Sequence, residues 1–370
     1  MKDKEIPPVV IRALIFAYEE QVGWVRLAGQ NSDHFRLSNS TRQGSVLFPY
    51  LFSSCYLNDL LEKLRKLDLG CHIAGLWFGA CGYADDLTLL ANSRDVLQQM
   101  VKVCEEYGAE HNLVFSTDPD PRRSKTKCIE FGGQLGNNPA SVMLDGKELP
   151  WVDRVEHLGH VLLQCGSMKA DGSRARASFM ARADDIRDNL YFASPEQRVK
   201  AIQLYCCDGF GSMLWDFRSD YAESYFKAWN IQVRLAWRVS PMTHTYLVEG
   251  NFSNGQLSLR NQIYLRYSKF VFKLNNSPSR EIRFLSKVLL SDPRSTIKKN
   301  VWYLSNLVNE DITKISSWKM RQLLPKCEIP VNEMWRIGLL TTLLNSRNNA
   351  QYLNLSNSQI HGMLESLCAT

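Results

Sequence analysis

The chain has 370 residues, 45% of them hydrophobic, so it can bury the core of one large domain or of two ordinary domains. Lysine and arginine total 44 against 38 acidic residues, a surplus that permits a polyanionic partner without requiring one. The N-terminal segment MKDKEIPPVVIRALIFAYEEQ sets acids, prolines and an arginine around its apolar run, which fits neither a signal peptide nor a membrane span. We therefore predict no membrane association.

The ten cysteines are irregularly spaced and include no CxxC pair, so the sequence indicates neither a zinc site nor a disulfide-rich secreted scaffold. His157, His160 and Cys165 lie close together in the sequence, but no carboxylate or second cysteine pair completes a metal-binding set. We predict reduced, mostly buried thiols in an intracellular protein of the nucleus or the cytoplasm.

Local patterns predict the first elements in chain order. Apolar residues recur over residues 8–20 closely enough for a largely buried helix. A polar, turn-rich stretch follows at 29–44, and residues 45–66 return to helical character. Residues 71–78 (CHIAGLWF) and 79–91 (GACGYADDLTLLA) are two β-rich runs.

Two adjacent aspartates, Asp85 and Asp86, interrupt the second β-rich run. In one continuous strand, Asp85 would share a face with Tyr83 and Leu87, and Asp86 would point to the opposite face. Because aspartate favours turns, we predict instead that the pair lies at or beside a hairpin tip.

The next segments predict a helix followed by short strands. Ser93 is the expected cap of the helix, whose apolar stripe comprises Val96, Leu97, Met100, Val101, Cys104 and Tyr107. Short strands are predicted at 112–116 (NLVFS) and within 128–133 (CIEFGG), on either side of the loop TDPDPRRSKTK. The pair Asp145-Gly146 predicts a two-residue hairpin turn.

From about residue 173 onward the pattern is helical, and Ser194–Gln197 has the residue order of a capping box with a proline at the first helical position. Residues 259–274 predict an amphipathic helix with Ile263, Tyr267, Phe270 and Leu274 on one face and Arg266, Lys269 and Lys273 on the other. The basic face is either a phosphate-contacting stripe or an ordinary solvated surface.

Two carboxylates on a tight hairpin flanked by apolar residues suit a divalent cation, whereas a bare Asp-Asp pair is by itself more typical of a solvated turn. Mg²⁺ takes oxygen ligands and is commonly held by one or two carboxylates together with substrate phosphates. Such an arrangement is found at sites of phosphoryl and nucleotidyl transfer.

The surroundings of the pair resemble those of a known enzyme family. YADDLTLLA (83–91) resembles the metal-binding motif of reverse transcriptases, and RQGSVLFPYLF (42–52) resembles the motif that precedes it. PRRSKTKCIEF (121–131) and VEHLGHVL (155–162) resemble the lysine-bearing motif and the primer grip that follow. The four motifs stand in family order, and the resemblance, over about 5–235, is to reverse transcriptases of non-LTR, LINE-type retrotransposons.

The resemblance implies an α+β fold: a partial polymerase palm, with an antiparallel sheet and helices, at 1–168, a helical thumb-like region at 169–240 and a helical C-terminal region at 241–370. It also implies RNA-templated DNA synthesis with Mg²⁺, or Mn²⁺, as the metal, and with an RNA template, a DNA primer and deoxynucleoside triphosphates as partners. The oligomeric state is not indicated.

The resemblance assigns roles only at matching positions. Asp85 would be the principal metal ligand, with Asp86 in support. Lys125, or alternatively Arg123 or Lys127, would meet the triphosphate and the leaving pyrophosphate. The remaining assignments are Arg42, Gln43, Gly44 and Tyr83 at the nucleotide and template, and Leu158, Gly159 and His160 at the primer end.

The sequence also departs from the family pattern. The family has a further catalytic aspartate on a strand before the helix that here begins near residue 8, and neither Asp3 nor Asp33 has the apolar context of such a strand. We therefore expect an N-terminally truncated enzyme that is inactive alone. The alternatives are a remnant that only binds nucleic acid and an inert relic. Ser40 and Phe48 replace a glycine and a serine that are usual in the family.

Overall fold

A computed structural model describes residues 6–19, 21–36, 57–118, 120–132, 141–207, 209–243, 245, 248 and 258–327. Within these ranges the fold is α+β, as predicted. The helices are α1 (Pro8–Glu19), α2 (Asn58–Lys66), α3 (Arg94–His111), α4 (Lys169–Asn189), α5 (Pro195–Cys206), α6 (Asp220–Trp237), α7 (Leu259–Asn275), α8 (Arg280–Ser291), α9 (Thr296–Val308) and α10 (Ser317–Cys327). None of them is long and apolar enough to cross a bilayer.

The strands are short, and each described sheet contains two of them, paired antiparallel. They are β1 (Val22–Gly23), β2 (Arg26–Leu27), β3 (Gln30–Asn31), β4 (Phe35–Arg36), β5 (His72–Ile73), β6 (Leu76–Trp77), β7 (Ala80–Tyr83), β8 (Asp86–Leu89), β9 (Met143–Leu144), β10 (Lys147–Glu148), β11 (Arg154–His157) and β12 (His160–Leu163). The turn-rich stretch predicted at 29–44 thus contributes two strands within its described part.

The chain divides into two compact units. Unit 1 comprises Met1–Cys128 and Gln134–Val152, and unit 2 comprises Ile129–Gly133 and Asp153–Thr370. The boundaries predicted at 168 and 240 stay predictions.

In unit 1, α2 and α3 form a small core with the β7–β8 hairpin. Leu60 and Leu64 of α2 are fully buried against Met100, Cys104 and Tyr107 of α3. The predicted cap of α3 is confirmed, because the Ser93 hydroxyl accepts a hydrogen bond from the Val96 N–H at 3.3 Å. The apolar stripe of α3 packs against α2 and the β7–β8 hairpin, which fixes the orientation of the helix.

Two other predictions in unit 1 are wrong in part. Helix α1 forms as predicted, but Val9 and Phe16 are 64% and 73% exposed, because no described element packs extensively against it. Residues 113–116 form no ladder, although Leu113 and Phe115 point into the core and Val114 is 90% exposed. The side chains alternate between core and solvent as in a strand, but a strand also needs a neighbouring backbone to pair with.

The strand predicted within 128–133 is reduced to a single bridge between Cys128 and Trp151. Its hydrogen bonds run from the Cys128 N–H to the Pro150 carbonyl and from the Val152 N–H to the Cys128 carbonyl, both at 2.9 Å. The hairpin predicted at Asp145-Gly146 is confirmed, with φ of 48° and 71° in its two turn residues.

The described residues of unit 2 are helical apart from loops and the β11–β12 hairpin, which packs on α4. Helix α4 begins at Lys169, slightly before the predicted start, and the capping box at Ser194 and Gln197 is confirmed. The core is rich in aromatic residues, and its largest fully buried side chains include Trp215, Tyr225, Trp229, Tyr264 and Tyr267.

Helix α7 confirms the helix predicted at 259–274. Ile263 and Tyr267 are buried, and Phe270 packs half-buried against the same core. On the basic face, Lys269 and Lys273 are exposed whereas Arg266 is half-buried.

Candidate metal and nucleic-acid site

The two adjacent aspartates lie at the tip of the β7–β8 hairpin, as predicted. Tyr83 pairs with Asp86 across the hairpin, and Ala84 and Asp85 form the two-residue turn. Because Tyr83 and Asp86 are directly opposite, they share one face of the hairpin, unlike their arrangement in a continuous strand. Both are exposed, as is Asp85.

The opposite face of the hairpin is fixed to the core of unit 1. Ala80, Leu87 and Leu89 pack on the buried leucines of α2 and on α3. A Cβ added to Gly82 would lie 3.4 Å from Leu57 and 3.5 Å from Leu61, so this glycine also lies against the α2 segment. One apolar face therefore holds the hairpin while its carboxylate tip projects into solvent.

The turn at the tip differs from the other two-residue turns in its backbone conformation. In the turns at Ala28-Gly29, Ala74-Gly75, Asp145-Gly146 and Leu158-Gly159, both residues have positive φ. Here Ala84 has a φ of 52°, whereas Asp85 does not have a positive φ. A left-handed alanine costs about 1 kcal/mol or more, and such strain is often found at functional sites.

The donor chemistry of Asp85 and Asp86 fits a divalent cation with oxygen ligands. Among the residues that the structure describes, neither carboxylate takes part in a hydrogen bond or an ion pair. In the same ranges no group of three or more His, Cys, Asp or Glu could hold a metal ion. The hairpin therefore offers two carboxylates, and further oxygen ligands must come from water, substrate phosphates or other parts of the protein.

Lys125 lies in an exposed turn of unit 1. Its neighbours anchor the turn: the Ser124 hydroxyl donates to the Thr126 carbonyl at 2.6 Å, and the Thr126 hydroxyl donates to the Ser116 carbonyl at 2.9 Å. The alternative residue Arg123 is 3.9 Å from the Asp120 carboxylate. Lys125 has no ion-pair partner among the described residues, so its ammonium group is available to an anion.

Leu158, Gly159 and His160 form a tight turn in unit 2. Leu158 and Gly159 have φ of 47° and 77°, and His157 pairs with His160 at the end of the hairpin. The His160 ring stacks on Phe210 with the ring centroids 5.0 Å apart. Cys165 is exposed and forms no metal-binding group with the two histidines.

Asp171 fixes this turn, and the sequence interpretation missed it. Its buried carboxylate accepts hydrogen bonds from the Val161 N–H at 3.0 Å, from the Trp215 indole at 2.9 Å and from Arg174 at 3.1 Å. Burial would raise the pKa of the Asp171 carboxyl, but these hydrogen bonds and the nearby His160 together lower it below its usual value. An acid in the first turn of α4 was the only local signal.

Arg42, Gln43 and Gly44, assigned to the nucleotide and template, lie outside the described residues, as does Asp3. The structure therefore brings Tyr83, Asp85 and Asp86 together in unit 1. It separately brings together the three residues assigned to the primer end in unit 2.

Comparison with known proteins agrees with the motifs. Residues 1–161 match the family model described as reverse transcriptase (RNA-dependent DNA polymerase), whereas a search of curated proteins finds no match. The matched segment contains the Asp85–Asp86 hairpin and ends within β12. It covers less than half of the 370 residues. Over residues 1–161, the chain is thus similar to the reverse transcriptases, the family of RNA-dependent DNA polymerases.

Proposed function

We propose that this chain carries part of the active site of a reverse transcriptase of the non-LTR, LINE type, which adds deoxynucleotides to a primer 3′-hydroxyl on an RNA template. The observation that carries the proposal is the exposed carboxylate pair at the β7–β8 tip, within the segment that matches the family. The order of the four motifs supports the narrower non-LTR assignment.

The described residues have distinct roles in this proposal. Asp85 and Asp86 hold Mg²⁺, or Mn²⁺, which when bound stabilises charge on the attacking and leaving oxygens. Tyr83, on the same hairpin face as Asp86, contacts the nucleotide, and Lys125 neutralises the leaving pyrophosphate. The turn at Leu158, Gly159 and His160 supports the primer end. Arg42, Gln43 and Gly44 complete the nucleotide and template contacts.

A second candidate function is nucleic-acid binding without catalysis. The exposed lysines of α7, Lys269 and Lys273, favour it because they can contact phosphates without any metal. Both candidate functions involve binding of nucleic acid, but only the polymerase needs the carboxylates of Asp85 and Asp86.

Primer extension tests whether the chain is active alone, and metal binding then separates the two functions. The full chain is assayed on a primed RNA template with Mg²⁺ or Mn²⁺, beside Asp85→Asn and the matched control Asp145→Asn, which changes an exposed aspartate at another hairpin turn of unit 1. For a polymerase, Asp85→Asn lowers extension by more than about 100-fold because a metal ligand is lost, and the control retains it. Template binding without extension in either metal agrees with the expected truncation. Loss of Mn²⁺ broadening in the double variant described next would then favour the polymerase, and equal broadening the second candidate.

A Mn²⁺ titration tests the metal site directly and does not require an active chain. Mn²⁺ added to the parent protein should broaden resonances of residues near the β7–β8 tip, and the double variant Asp85→Asn, Asp86→Asn should remove this broadening. Equal broadening in the double variant would place the metal elsewhere.

A further inference from the structure

In the segment Gly209-Phe210-Gly211 of unit 2, the two glycines on either side of Phe210 lie close to neighbouring side chains. Gly209 and Gly211 have φ of 57° and 87°, a conformation that favours glycine. A Cβ on Gly209 would lie 2.9 Å from the Arg266 guanidinium, and one on Gly211 would lie 2.7 Å from the His160 ring. The His160 ring therefore leaves no room for a side chain at Gly211, and the positive φ of Gly209 disfavours one there.

Phe210 itself lies on the turn assigned to the primer end. Its ring stacks on His160 at an interplanar angle of 19°, with centroids 5.0 Å apart. A Cβ on Gly159 would lie 2.9 Å from the Phe210 ring, so the glycine in that turn admits the ring. Phe210 is nevertheless 61% exposed, so much of its ring is accessible to solvent.

The turn beneath Phe210 is fixed by hydrogen bonds to Asp171. The side chain of Asp171 is 1% exposed and accepts from the Val161 N–H, the Trp215 indole and Arg174. His160 Nδ1 lies 3.6 Å from this carboxylate, an electrostatic contact longer than a hydrogen bond. Arg174 additionally donates to the Gly159 carbonyl. The ring is therefore held on a preformed support, so binding to its outer face costs little side-chain entropy.

The charges near Phe210 favour a polyanion. The Arg174 side chain is 43% exposed where it meets Gly159, and the Arg266 guanidinium borders Gly209. An arginine has five N–H donors, so it can keep protein contacts and still donate to a phosphate. An exposed aromatic ring with guanidinium groups at the neighbouring residues Gly159 and Gly209 has the chemistry that binds a single nucleic-acid strand, with base stacking and phosphate contacts together.

We propose that Phe210 is a stacking platform for an unpaired base of a nucleic-acid strand that passes the turn at Leu158 and Gly159. The inference rests on the proposed function and extends it, because Phe210 lies outside the segment that matches the family. It assigns a binding residue to the helical part of the chain.

The test measures binding of two strands of about 12 nucleotides with equal numbers of phosphates, oligo-dT and an abasic strand of the same length. Phe210→Ala should weaken binding of oligo-dT by about 5-fold to 100-fold, and binding of the abasic strand by less than about 2-fold. Phe210→Trp should restore binding because it keeps an aromatic face. Oligo-U should behave like oligo-dT, because every base offers a face to stack on.

Phe192→Ala is the matched control, since Phe192 is another exposed phenylalanine of unit 2, 74% exposed. It should leave both affinities unchanged. If Phe210→Ala affects binding of both strands equally, or of neither, the stacking proposal is wrong. Binding by the parent protein would still support the proposed function. If the parent chain binds no strand at all, the proposed function itself fails.

Discussion

Ala84 immediately precedes Asp85 in the hairpin turn, and its backbone conformation is strained. Its φ of 52° is unfavourable for an alanine, whereas glycine adopts it freely. Relief of the strain exceeds the entropic cost of glycine, so Ala84→Gly should stabilise unit 1 by about 0.5 kcal/mol in urea unfolding.

The matched control is Ala109→Gly, which places glycine at an exposed position of helix α3. This change should destabilise by about 1 kcal/mol because the helical conformation is unstrained. A loss of stability in Ala84→Gly equal to that of the control would show that the turn stores no strain.

Asp171 makes a pH-dependent contribution to unit 2. Because its pKa is lowered in the folded state, its stabilisation is fully present above the ordinary aspartate value near 4 and is lost as the pH falls through the lower folded value. Asp171→Asn should reduce the free energy of unfolding at pH 7 by about 2 kcal/mol and make it less dependent on pH below about 4.

Asp188→Asn, an exposed aspartate on the same helix, supplies the comparison. Unfolding of this control at pH 7 and at pH 3 should match that of the parent. Identical pH dependence in Asp171→Asn and the parent would contradict the assignment.

At the scale of elements, the exposed lysines of α7 allow direct contact with phosphates to be distinguished from a general effect of the protein's net charge. If Lys269 and Lys273 contact phosphates, reversing both to glutamate should lower RNA affinity and reduce the slope of log affinity against log salt by about 1.5. Reversing Arg280 and Lys287 of α8, both exposed, changes the net charge equally and should alter the slope less. Equal slopes in the two double variants would leave the α7 face an ordinary solvated surface.

Elements with local causes could be predicted from the sequence, and those that depend on distant partners could not. The Ser93 cap, the Asp145-Gly146 turn and the hairpin tip at Asp85 each follow from a few adjacent residues. The strand predicted at 112–116 lacks a ladder because no described backbone pairs with it, which no local pattern reveals.

The site follows the same division. The carboxylate pair is a contiguous motif, so both its residues and its place on a hairpin could be predicted. Asp171 and Phe210 act through Trp215 and His160, which are distant from them in the sequence, so only the folded chain identifies them.

At the scale of the whole molecule, the reactivity of the free cysteines probes the packing of both units. Cys81 in unit 1 and Cys165 in unit 2 are exposed, whereas Cys206 and Cys207 are buried. Burial, with a smaller effect of Glu105, raises the pKa of the Cys104 thiol to about 12, and burial raises that of Cys128 to about 11. Both thiols are therefore almost entirely protonated at pH 8, whereas the thiolate is the reactive form.

Iodoacetamide at pH 8 should therefore modify Cys81 and Cys165 in the native protein well before Cys104 and Cys128, as followed by peptide mass spectrometry. In concentrated urea all four should react at similar rates. Modification of Cys104 as fast as Cys81 under native conditions would contradict the packing of α3.

The local pairing of the strands has a consequence for the time course of folding. Every two-stranded ladder in the described ranges joins strands close in sequence, so its closure costs little loop entropy and takes about 1–10 μs. A lone hairpin is only marginally stable, so the one with Asp85 and Asp86 persists once α2 and α3 pack against it. During synthesis on the ribosome, the carboxylate pair can thus be in place when α3 has emerged and before α4 has been translated.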